Sequence, residues 1–267
     1  MKTLSVTLIT FIVLQSCSKF ELSPYQTHPV AALPTELNAR NISLIHANTR
    51  TSDDTLNLIY TSDPHGSYRE MHDLVNKVNA MKDIDFVVIC GDLTEFGTIR
   101  EYQWLYDELM RFKVPYVCAI GNHDLVSHEG DLYTSVFGAK NFSFITDSCK
   151  FIFHDTNSRE YGFNSHVPDI RWLEREIRDT MARWMIGVSH VSPFDEDFDR
   201  NLETAYKDLF ASDERLILSL HGHVHQTTDA FRYNDHVRYM TASSIAKREA
   251  CHLKLANGSI HKTTFRF

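Results

Sequence analysis

The sequence predicts an α/β protein in which two mixed β-sheets pack face to face and helices cover their outer surfaces. In the first half of the chain, short apolar runs alternate with segments whose apolar residues recur every three or four positions. This pattern is typical of parallel strands joined by helices. Further along, apolar runs are also paired across short polar turns, which indicates antiparallel hairpins. Parallel units that flank hairpins favour a β-sandwich with helices outside.

Three strands and two helices form the first predicted unit. The strands are apolar runs at residues 56–62, 86–90 and 116–120. Between them, apolar residues recur at helical spacing over residues 71–81 and 99–112. A βαβαβ unit of this kind places its strands in parallel, with right-handed crossovers.

The second half of the chain mixes hairpins with further strand–helix units. Residues 141–144 and 151–153 predict a hairpin around Asp147-Ser148. We expect Pro168 in the first turn of the next helix, whose apolar face includes Ile170. The remaining predicted elements are a strand at 184–188, a helix at 202–210, a strand at 216–220, and closing strands separated by turns at Asn234-Asp235 and Asn257-Gly258.

The composition is that of an ordinary globular protein. Of the 267 residues, 43% are apolar and 23% are charged, and this length can bury one sizeable core. The net charge of −8 argues against a general nucleic-acid or anionic-lipid binding protein. We expect Cys90, Cys118, Cys149 and Cys251 to be free, because they lack zinc-site spacing and the first two lie at or near the ends of apolar strands.

The first residues form a predicted targeting segment. A basic start at Lys2 precedes an apolar stretch over residues 4–14, which is too short to span a bilayer comfortably. The following Leu14-Gln15-Ser16-Cys17 resembles a bacterial lipobox. That resemblance implies cleavage before Cys17 and acylation of its thiol. The alternatives are an ordinary signal peptide or a buried cysteine in an N-terminal helix.

This interpretation divides the chain into three parts. They are a lipoprotein signal peptide at 1–16, a tether and lead-in at 17–50, and one domain at 51–267. The polar stretch after Cys17 suits a tether, because a lipid anchor needs slack. We therefore expect an exported protein that is lipid-anchored to the bacterial cell envelope through Cys17, at the outer membrane or the periplasmic face.

Side chains that can bind metals follow the predicted strands at abrupt turns. They are the carboxylates of Asp63 and Asp92, the imidazoles of His65, His190, His223 and His225, and the amide of Asn122. In open α/β sheets, sites form at the carboxyl ends of strands. Gly91, Gly121 and Gly222 precede some of these residues, where we expect the chain to turn sharply and admit a metal close to the backbone.

The ligand types indicate the class of metal. Mixed oxygen and nitrogen ligands suit Mn, Fe, Zn or Co better than Ca or Mg alone. Seven ligands, one of them a bridging carboxylate, fit two ions about 3.5–4 Å apart. Residues two apart in an extended backbone can point the same way. Each Asp-x-His or His-x-His pair can then chelate one ion or be divided between two.

The order of these fragments resembles the calcineurin-like metallophosphoesterase superfamily. Its pattern is D-x-H, G-D, G-N-H-[DE], an isolated H and G-H-x-H, and this chain matches every block between residues 56 and 226. Within this superfamily, residues 91–124 look most like the branch of the class III cyclic-nucleotide and glycerophosphodiester phosphodiesterases. The resemblance implies a four-layer αββα fold. It also implies that Asp63, His65 and His225 hold one metal ion, that Asn122, His190 and His223 hold the other, and that Asp92 bridges them.

The chemistry that this resemblance implies is hydrolysis of a phosphate ester. Two cations neutralise the anionic oxygens, and a hydroxide that bridges them attacks phosphorus in line. His123 lies beside Asn122 without being a ligand itself. We expect it to stabilise the transition state or to protonate the leaving alkoxide. We expect Asp124 to orient the His123 imidazole.

Other polar segments have competing interpretations. Residues 94–97 follow Asp92, so they can touch substrate or simply turn the chain. Asp155 and Asn157 follow a strand and can line the site or support its ligands. The simplest interpretation of the acidic residues 195–197 is a solvated loop, and that of His221 is support of strand packing.

Three functions are compatible with these patterns. The first is a binuclear metal-dependent phosphodiesterase acting on a small-molecule or lipid phosphoester. The nearest alternative is a phosphomonoesterase or nucleotidase of the same fold. The third is a metal-stabilised binding lipoprotein without turnover, against which the complete ligand set and His123 argue.

Overall fold

The computed structural model describes residues 33–48, 55–127, 131–178 and 181–267. The predicted signal peptide at 1–16 and the lipobox cysteine Cys17 lie outside these residues. Among the helices that are described, none has both the length and the apolar character needed to cross a bilayer.

The described elements follow the order that the sequence predicts, with a further helix at Asp131–Phe137 that it does not predict. Along the chain they are α1 (Leu37–Asn48), β1 (Thr55–Thr61), α2 (Tyr68–Ala80), β2 (Phe86–Cys90), α3 (Ile99–Leu109), β3 (Tyr116–Ala119), α4 (Asp131–Phe137), β4 (Phe142–Thr146), β5 (Cys149–Phe153), α5 (Ile170–Ile177), β6 (Trp184–Val188), α6 (Arg200–Ala211), β7 (Leu216–His221), β8 (Thr228–Phe231), β9 (Arg238–Thr241), β10 (Glu249–Ala256) and β11 (Ser259–Arg266).

Two mixed sheets form the centre of the fold, as predicted. The first has the strand order β11-β10-β1-β2-β3, and the second has the order β4-β5-β6-β7-β9-β8. Strands β1, β2 and β3 are parallel, which confirms the predicted βαβαβ unit. The predicted hairpin of β4 and β5 and the closing hairpin of β10 and β11 are antiparallel. The parallel strands therefore carry their carboxyl ends to one edge of each sheet.

Three apolar clusters hold the layers together. One fills the space between the sheets, where Phe86 meets Phe151 edge to face at 5.2 Å between ring centroids. The others lie between the first sheet and α2, α3 and α4, and between the second sheet and α5 and α6. Both faces of the central strands are covered, so all five residues of β2 are buried. The cysteines at 90, 118, 149 and 251 are free and buried within these layers, as expected.

One helix begins later than the sequence predicts. Pro168 precedes α5 instead of lying in its first turn. The N-cap is Asp169, whose carboxylate accepts the backbone N–H of Trp172 at 3.0 Å. A capping carboxylate satisfies one of the free N–H groups at a helix start, which fixes the boundary there.

The lead-in helix α1 is part of the fold. It lies along β3, the edge strand of the first sheet, and the Asn38 side chain bonds both backbone groups of Cys118. Asn38 Nδ2 donates to the Cys118 carbonyl at 3.0 Å, and the Cys118 N–H donates to Asn38 Oδ1 at 2.9 Å. Asn41 Oδ1 accepts the N–H of Tyr116 at 3.0 Å. These two amides complete the edge of β3 much as another strand would.

We expect Asn38→Ala to lower the free energy of unfolding by about 1–3 kcal/mol, because it leaves the buried Cys118 N–H without its partner. Urea denaturation of the purified protein measures this. Ser43→Ala is the matched control, since Ser43 is exposed on the same helix and its hydroxyl bonds within that helix, to the Ala39 carbonyl. Equal destabilisation by both substitutions would contradict the role of Asn38.

Candidate metal centre

The carboxyl ends of strands from both sheets meet at one edge of the sandwich. Beyond the strands, the Asp63 N–H donates to the Gly91 carbonyl at 3.1 Å, and the Gly222 N–H donates to the His190 carbonyl at 2.9 Å. The sheets are also joined to each other here. The His223 N–H donates to Asp63 Oδ2 at 3.2 Å. The predicted ligand fragments are thus held by backbone hydrogen bonds within each sheet and by a hydrogen bond from a backbone N–H to the Asp63 carboxylate between the sheets.

One group of candidate ligands contains Asp63, His65, Asp92 and His225, whose ligand atoms lie within 4.8 Å of one another. Within it, His225 Nε2 is 3.1 Å from Asp63 Oδ1 and 3.5 Å from His65 Nε2. Asp63 is fully buried, and its Oδ1 faces the His225 ring but accepts no hydrogen bond of good geometry from the described residues. A buried carboxylate oxygen without a donor fits a bound cation.

A second group contains Asp92, His190 and His223. His190 Nε2 is 3.2 Å from Asp92 Oδ2. Asn122 joins this group, because its Oδ1 lies 3.1 Å from His190 Nε2 and 3.2 Å from His223 Nδ1. Asp92 belongs to both groups. The structure therefore brings all seven predicted ligands together, in two groups that share one carboxylate, and this donor set fits a pair of metal ions.

Two of the rings have their second nitrogen held by the protein. His190 Nδ1 donates to the Cys90 carbonyl at 2.6 Å, and His65 Nδ1 contacts the Glu95 carboxylate. A carbonyl only accepts, so His190 carries a proton on Nδ1, and Nε2 is the ring nitrogen that faces Asp92 and the centre. Partners of this kind fix the orientation and tautomer of metal-binding imidazoles.

The buried carboxylates make this edge favour positive charge. Burial alone would raise the pKa of Asp92, but the facing His190 ring brings it below its ordinary value. Burial alone would lower the pKa of His190, but Asp92 raises it above its ordinary value. Both directions favour the charged pair. The site thus stabilises a positive charge beside Asp92, as a cation-binding site must.

The backbone is left-handed at four candidate ligands. The φ angles are +54° at Asp63, +52° at Asp92, +71° at His223 and +51° at His225. Such angles are uncommon for residues other than glycine, although Asp and His adopt them more readily than most. The two histidines after Gly222 therefore do not form an extended pair, and the structure divides them between the two groups.

Two of the glycines before the ligands are required by close packing. A Cβ on Gly121 would overlap the Asp92 side chain, and a Cβ on Gly222 would overlap Ser62 Oγ and approach Asp63 Oδ2 at 2.8 Å. Gly121 and Gly222 do not have left-handed φ angles. The backbone thus approaches neighbouring carboxylates at these positions, where we had expected it to make room for a metal in a sharp turn.

His123 lies beside the first group. Its ring stacks on His65 with 4.8 Å between centroids, and its side chain is 34% exposed. Its Nδ1 donates to the Glu95 carbonyl at 2.9 Å, and its backbone N–H donates to Asp92 Oδ1 at 3.0 Å. The ring is therefore fixed at the border of the site, where it can reach a bound molecule.

The prediction that Asp124 orients His123 is wrong. Asp124 is fully buried, and its carboxylate accepts the backbone N–H groups of Leu93, Thr94 and Gly121 at 2.9–3.1 Å. Burial raises the pKa of Asp124 to about 6. Its hydrogen bonds join the loop after β2 to the loop after β3. Asp124 thus supports the loops that carry Asp92 and Asn122 without contacting the reacting groups.

Glu95 makes the contact with the His123 ring that the sequence predicts for Asp124. Its carboxylate bonds His65, and its carbonyl accepts the His123 ring proton. The interpretation of residues 94–97 left this open, because the only signal in the sequence is the position of Glu95 three residues after Asp92. Both side-chain and backbone groups of one residue therefore orient two neighbouring imidazoles.

The acidic loop at residues 195–197 was expected to be solvated, and this is wrong for two of its residues. Asp197 Oδ2 is 3.2 Å and Asp195 Oδ1 is 3.7 Å from His223 Nε2, and these side chains are 16% and 15% exposed. Glu196 alone is exposed. Within the loop, Asp195 Oδ1 accepts the N–H of Asp197 at 3.0 Å, which makes a tight turn.

The remaining predicted residues support the site from behind. Asp155 accepts hydrogen bonds from Asn157 and from the Tyr161 hydroxyl, and Asn157 Nδ2 also donates to the Ile120 carbonyl. His221 is buried, where Ser189 and Ser219 bond its ring and Tyr239 stacks on it. The prediction that His221 supports strand packing is confirmed.

Comparison with known proteins agrees with this geometry. The sequence model of the calcineurin-like phosphoesterase family matches residues 56–227. A 3',5'-cyclic-nucleotide phosphodiesterase of Nostoc sp. is 25% identical over 162 residues, which cover 58% of this chain and 60% of that protein. A probable cyclic nucleotide phosphodiesterase of Moraxella catarrhalis is 31% identical over 87 residues, 30% of this chain and 31% of that protein. The chain spans 31% to 69% of the length of the curated relatives it matches.

A solved structure shares the fold. A dimetal phosphatase from Danio rerio superposes with a TM-score of 0.58 and 13% sequence identity, over 79% of this chain and 99% of that one. This likeness confirms the predicted arrangement of two sheets flanked by helices. The family sequence model covers more than half of the chain and includes all seven converging side chains. This chain therefore belongs to the calcineurin-like phosphoesterase family.

Proposed function

We propose that this chain is a metal-dependent hydrolase of phosphate esters, that its centre holds two metal ions, and that its substrates are phosphodiesters. The observation that carries the proposal is the convergence of seven ligand side chains in two groups that share Asp92. Relatives named as cyclic nucleotide phosphodiesterases support the diester class.

In this proposal each group holds one ion. Asp63, His65 and His225 would hold the first, Asn122, His190 and His223 would hold the second, and Asp92, which belongs to both groups, would serve both. When bound, ions such as Mn, Fe, Zn or Co would neutralise the anionic oxygens of the ester and lower the pKa of water.

His123 is the proposed general acid. The Glu95 carbonyl occupies Nδ1 of the ring, so Nε2 is the nitrogen that can give a proton to the leaving alkoxide. Stacking on His65 and the backbone bond to Asp92 hold the ring in place. A positioned acid of this kind neutralises the charge that develops on the oxygen as its bond to phosphorus breaks.

The charge around the centre supports a diester over a monoester. The carboxylates of Glu95, Asp195 and Asp197 border the imidazoles of the two groups. A phosphodiester carries one negative charge, whereas a monoester carries up to two near neutral pH. Carboxylates in partly buried surroundings repel the second charge. They therefore disfavour a monoester dianion more than a diester anion.

We expect the metal-stripped protein to be inactive and Mn²⁺ to restore turnover of bis(p-nitrophenyl) phosphate, with faster hydrolysis of this diester than of p-nitrophenyl phosphate. Release of p-nitrophenol measures both rates, and elemental analysis measures bound metal. No turnover of either ester by protein with two ions per chain would sink the enzyme proposal and favour a binding lipoprotein. A faster monoester reaction would favour the phosphomonoesterase alternative.

His123→Ala should reduce kcat by about 10²–10⁴-fold for diesters with poor leaving groups, because the alkoxide then leaves without a positioned acid. The loss for a p-nitrophenyl diester should be smaller, since that leaving group needs less protonation. His261→Ala is the control, because His261 is exposed on the edge strand β11. Loss of bound metal from the His123 variant would contradict its assignment as an acid.

We also propose that the protein is exported and lipid-anchored to the cell envelope through Cys17. The support is the lipobox-like Leu14-Gln15-Ser16-Cys17 after an apolar stretch. Cys17→Ala should block lipidation, so metabolic labelling with a fatty-acid analogue should mark the wild-type chain and leave the variant unmarked. A wild-type chain that stays unlabelled and partitions away from membranes would refute the anchor.

A further inference from the structure

We propose that Asp197, held by Arg159, is a positioning residue that fixes the His223 ring in the metal centre. Asp197 Oδ2 lies 3.2 Å from His223 Nε2, and His223 Nδ1 lies 3.2 Å from Asn122 Oδ1. A carboxylate accepts the Nε2 proton of a neutral ring, which leaves the Nδ1 lone pair directed at the Asn122 side of the centre. This inference rests on the proposed function in that His223 is taken as a ligand.

The arrangement repeats what the structure does at two other rings. His65 is held through Nδ1 by a carboxylate, and His190 is held through Nδ1 by a backbone carbonyl. At His223 the roles of the two nitrogens are exchanged, because Nδ1 faces the centre and Nε2 faces the loop after β6. Without a carboxylate on Nε2, the acceptor Asn122 Oδ1 would favour the tautomer that carries its proton on Nδ1, the nitrogen that faces the centre.

The loop that carries Asp197 is fixed on both sides. Asp195 Oδ1 accepts the N–H of Asp197 at 3.0 Å, and the Asp195 carbonyl accepts the N–H of Phe198 at 3.2 Å. Phe198 is fully buried in the cluster beneath α6. Asp199 then caps α6 by accepting the N–H of Asn201 at 3.0 Å. The carboxylate is therefore presented to His223 by an anchored turn.

Arg159 orients the Asp197 carboxylate from outside. Its Nη1 lies 3.1 Å from each carboxylate oxygen. Arg159 is 63% exposed, whereas Asp197 is 16% exposed. An exposed ion pair adds little stability, so we assign to Arg159 only the orientation of the Asp197 carboxylate. Asp197 makes the contact that fixes the geometry of the His223 ring.

Asp197 should therefore control the affinity of one metal ion and leave the other unaffected. Loss of a carboxylate partner behind a metal-binding histidine typically weakens binding by about 10–100-fold. We expect a loss of that size in Asp197→Ala for one of the two Mn²⁺ binding steps, measured by calorimetric titration of metal-stripped protein. The Arg159→Met loss should be smaller. Turnover of the Asp197 variant should recover in excess Mn²⁺, because the reacting groups remain.

Glu196→Gln is the matched control, because it removes one negative charge from the same loop at an exposed position. It should bind both ions as the wild type does. An Asp197→Ala protein whose two Mn²⁺ affinities equal those of the wild type would overturn the proposal. An equal loss in Glu196→Gln would overturn it as well, since the effect would then be one of general charge.

A second readout needs neither metal nor turnover. In metal-free, ¹⁵N-histidine-labelled protein at mildly alkaline pH, long-range ¹H–¹⁵N spectra should show His223 with its proton on Nε2, assigned by the loss of its signals in His223→Gln. Asp197→Asn, which keeps the shape of the side chain, should reduce the population of that tautomer. An unchanged tautomer would overturn the positioning role. Wild-type protein that shows the tautomer without hydrolysing esters would overturn only the proposed function.

Discussion

The rest of this structure depends on two buried carboxylates. Asp63 and Asp92 are 0% and 2% exposed at the ends of neighbouring parallel strands. Buried charges are costly unless they are paired and hydrogen-bonded. The surrounding loops meet this demand with backbone N–H groups from His223 and His123 and with facing imidazoles. These donors are held in place by the sandwich core, by the close packing that the neighbouring glycines permit, and by the left-handed backbone.

Much of this arrangement follows from the sequence, because the ligands come after apolar runs that can be recognised as strands. Once β1, β2 and β3 are parallel, Asp63, Asp92 and Asn122 must meet at one edge. This convergence depends only on the period of the apolar pattern and on the short connections. The exact ends of the elements do not affect this convergence, so the late start of α5 after Pro168 does not change it.

Other features depend on contacts that local sequence does not specify. The division of His223 and His225 between two groups requires left-handed φ angles at both residues, which no neighbouring residue demands. The inward turn of Asp195 and Asp197 depends on the packing of Phe198 in an apolar cluster whose other residues are distant in the chain. The acidic tripeptide taken alone indicates a solvated loop. Asp124 does not orient His123, because adjacency in the chain does not bring the two side chains into contact. Its carboxylate instead lies among the N–H groups of two loops.

The contact of α1 with β3 bears on how the chain reaches its folded state. An uncovered edge strand is a template for pairing with other chains, most of all while folding is incomplete. Asn38 and Asn41 precede the strand they cover by about seventy to eighty positions in the chain. During synthesis from the amino terminus, Asn38 and Asn41 therefore emerge before β3, the edge strand that they cover. The order of the sequence thus shortens the interval in which β3 could capture a second molecule.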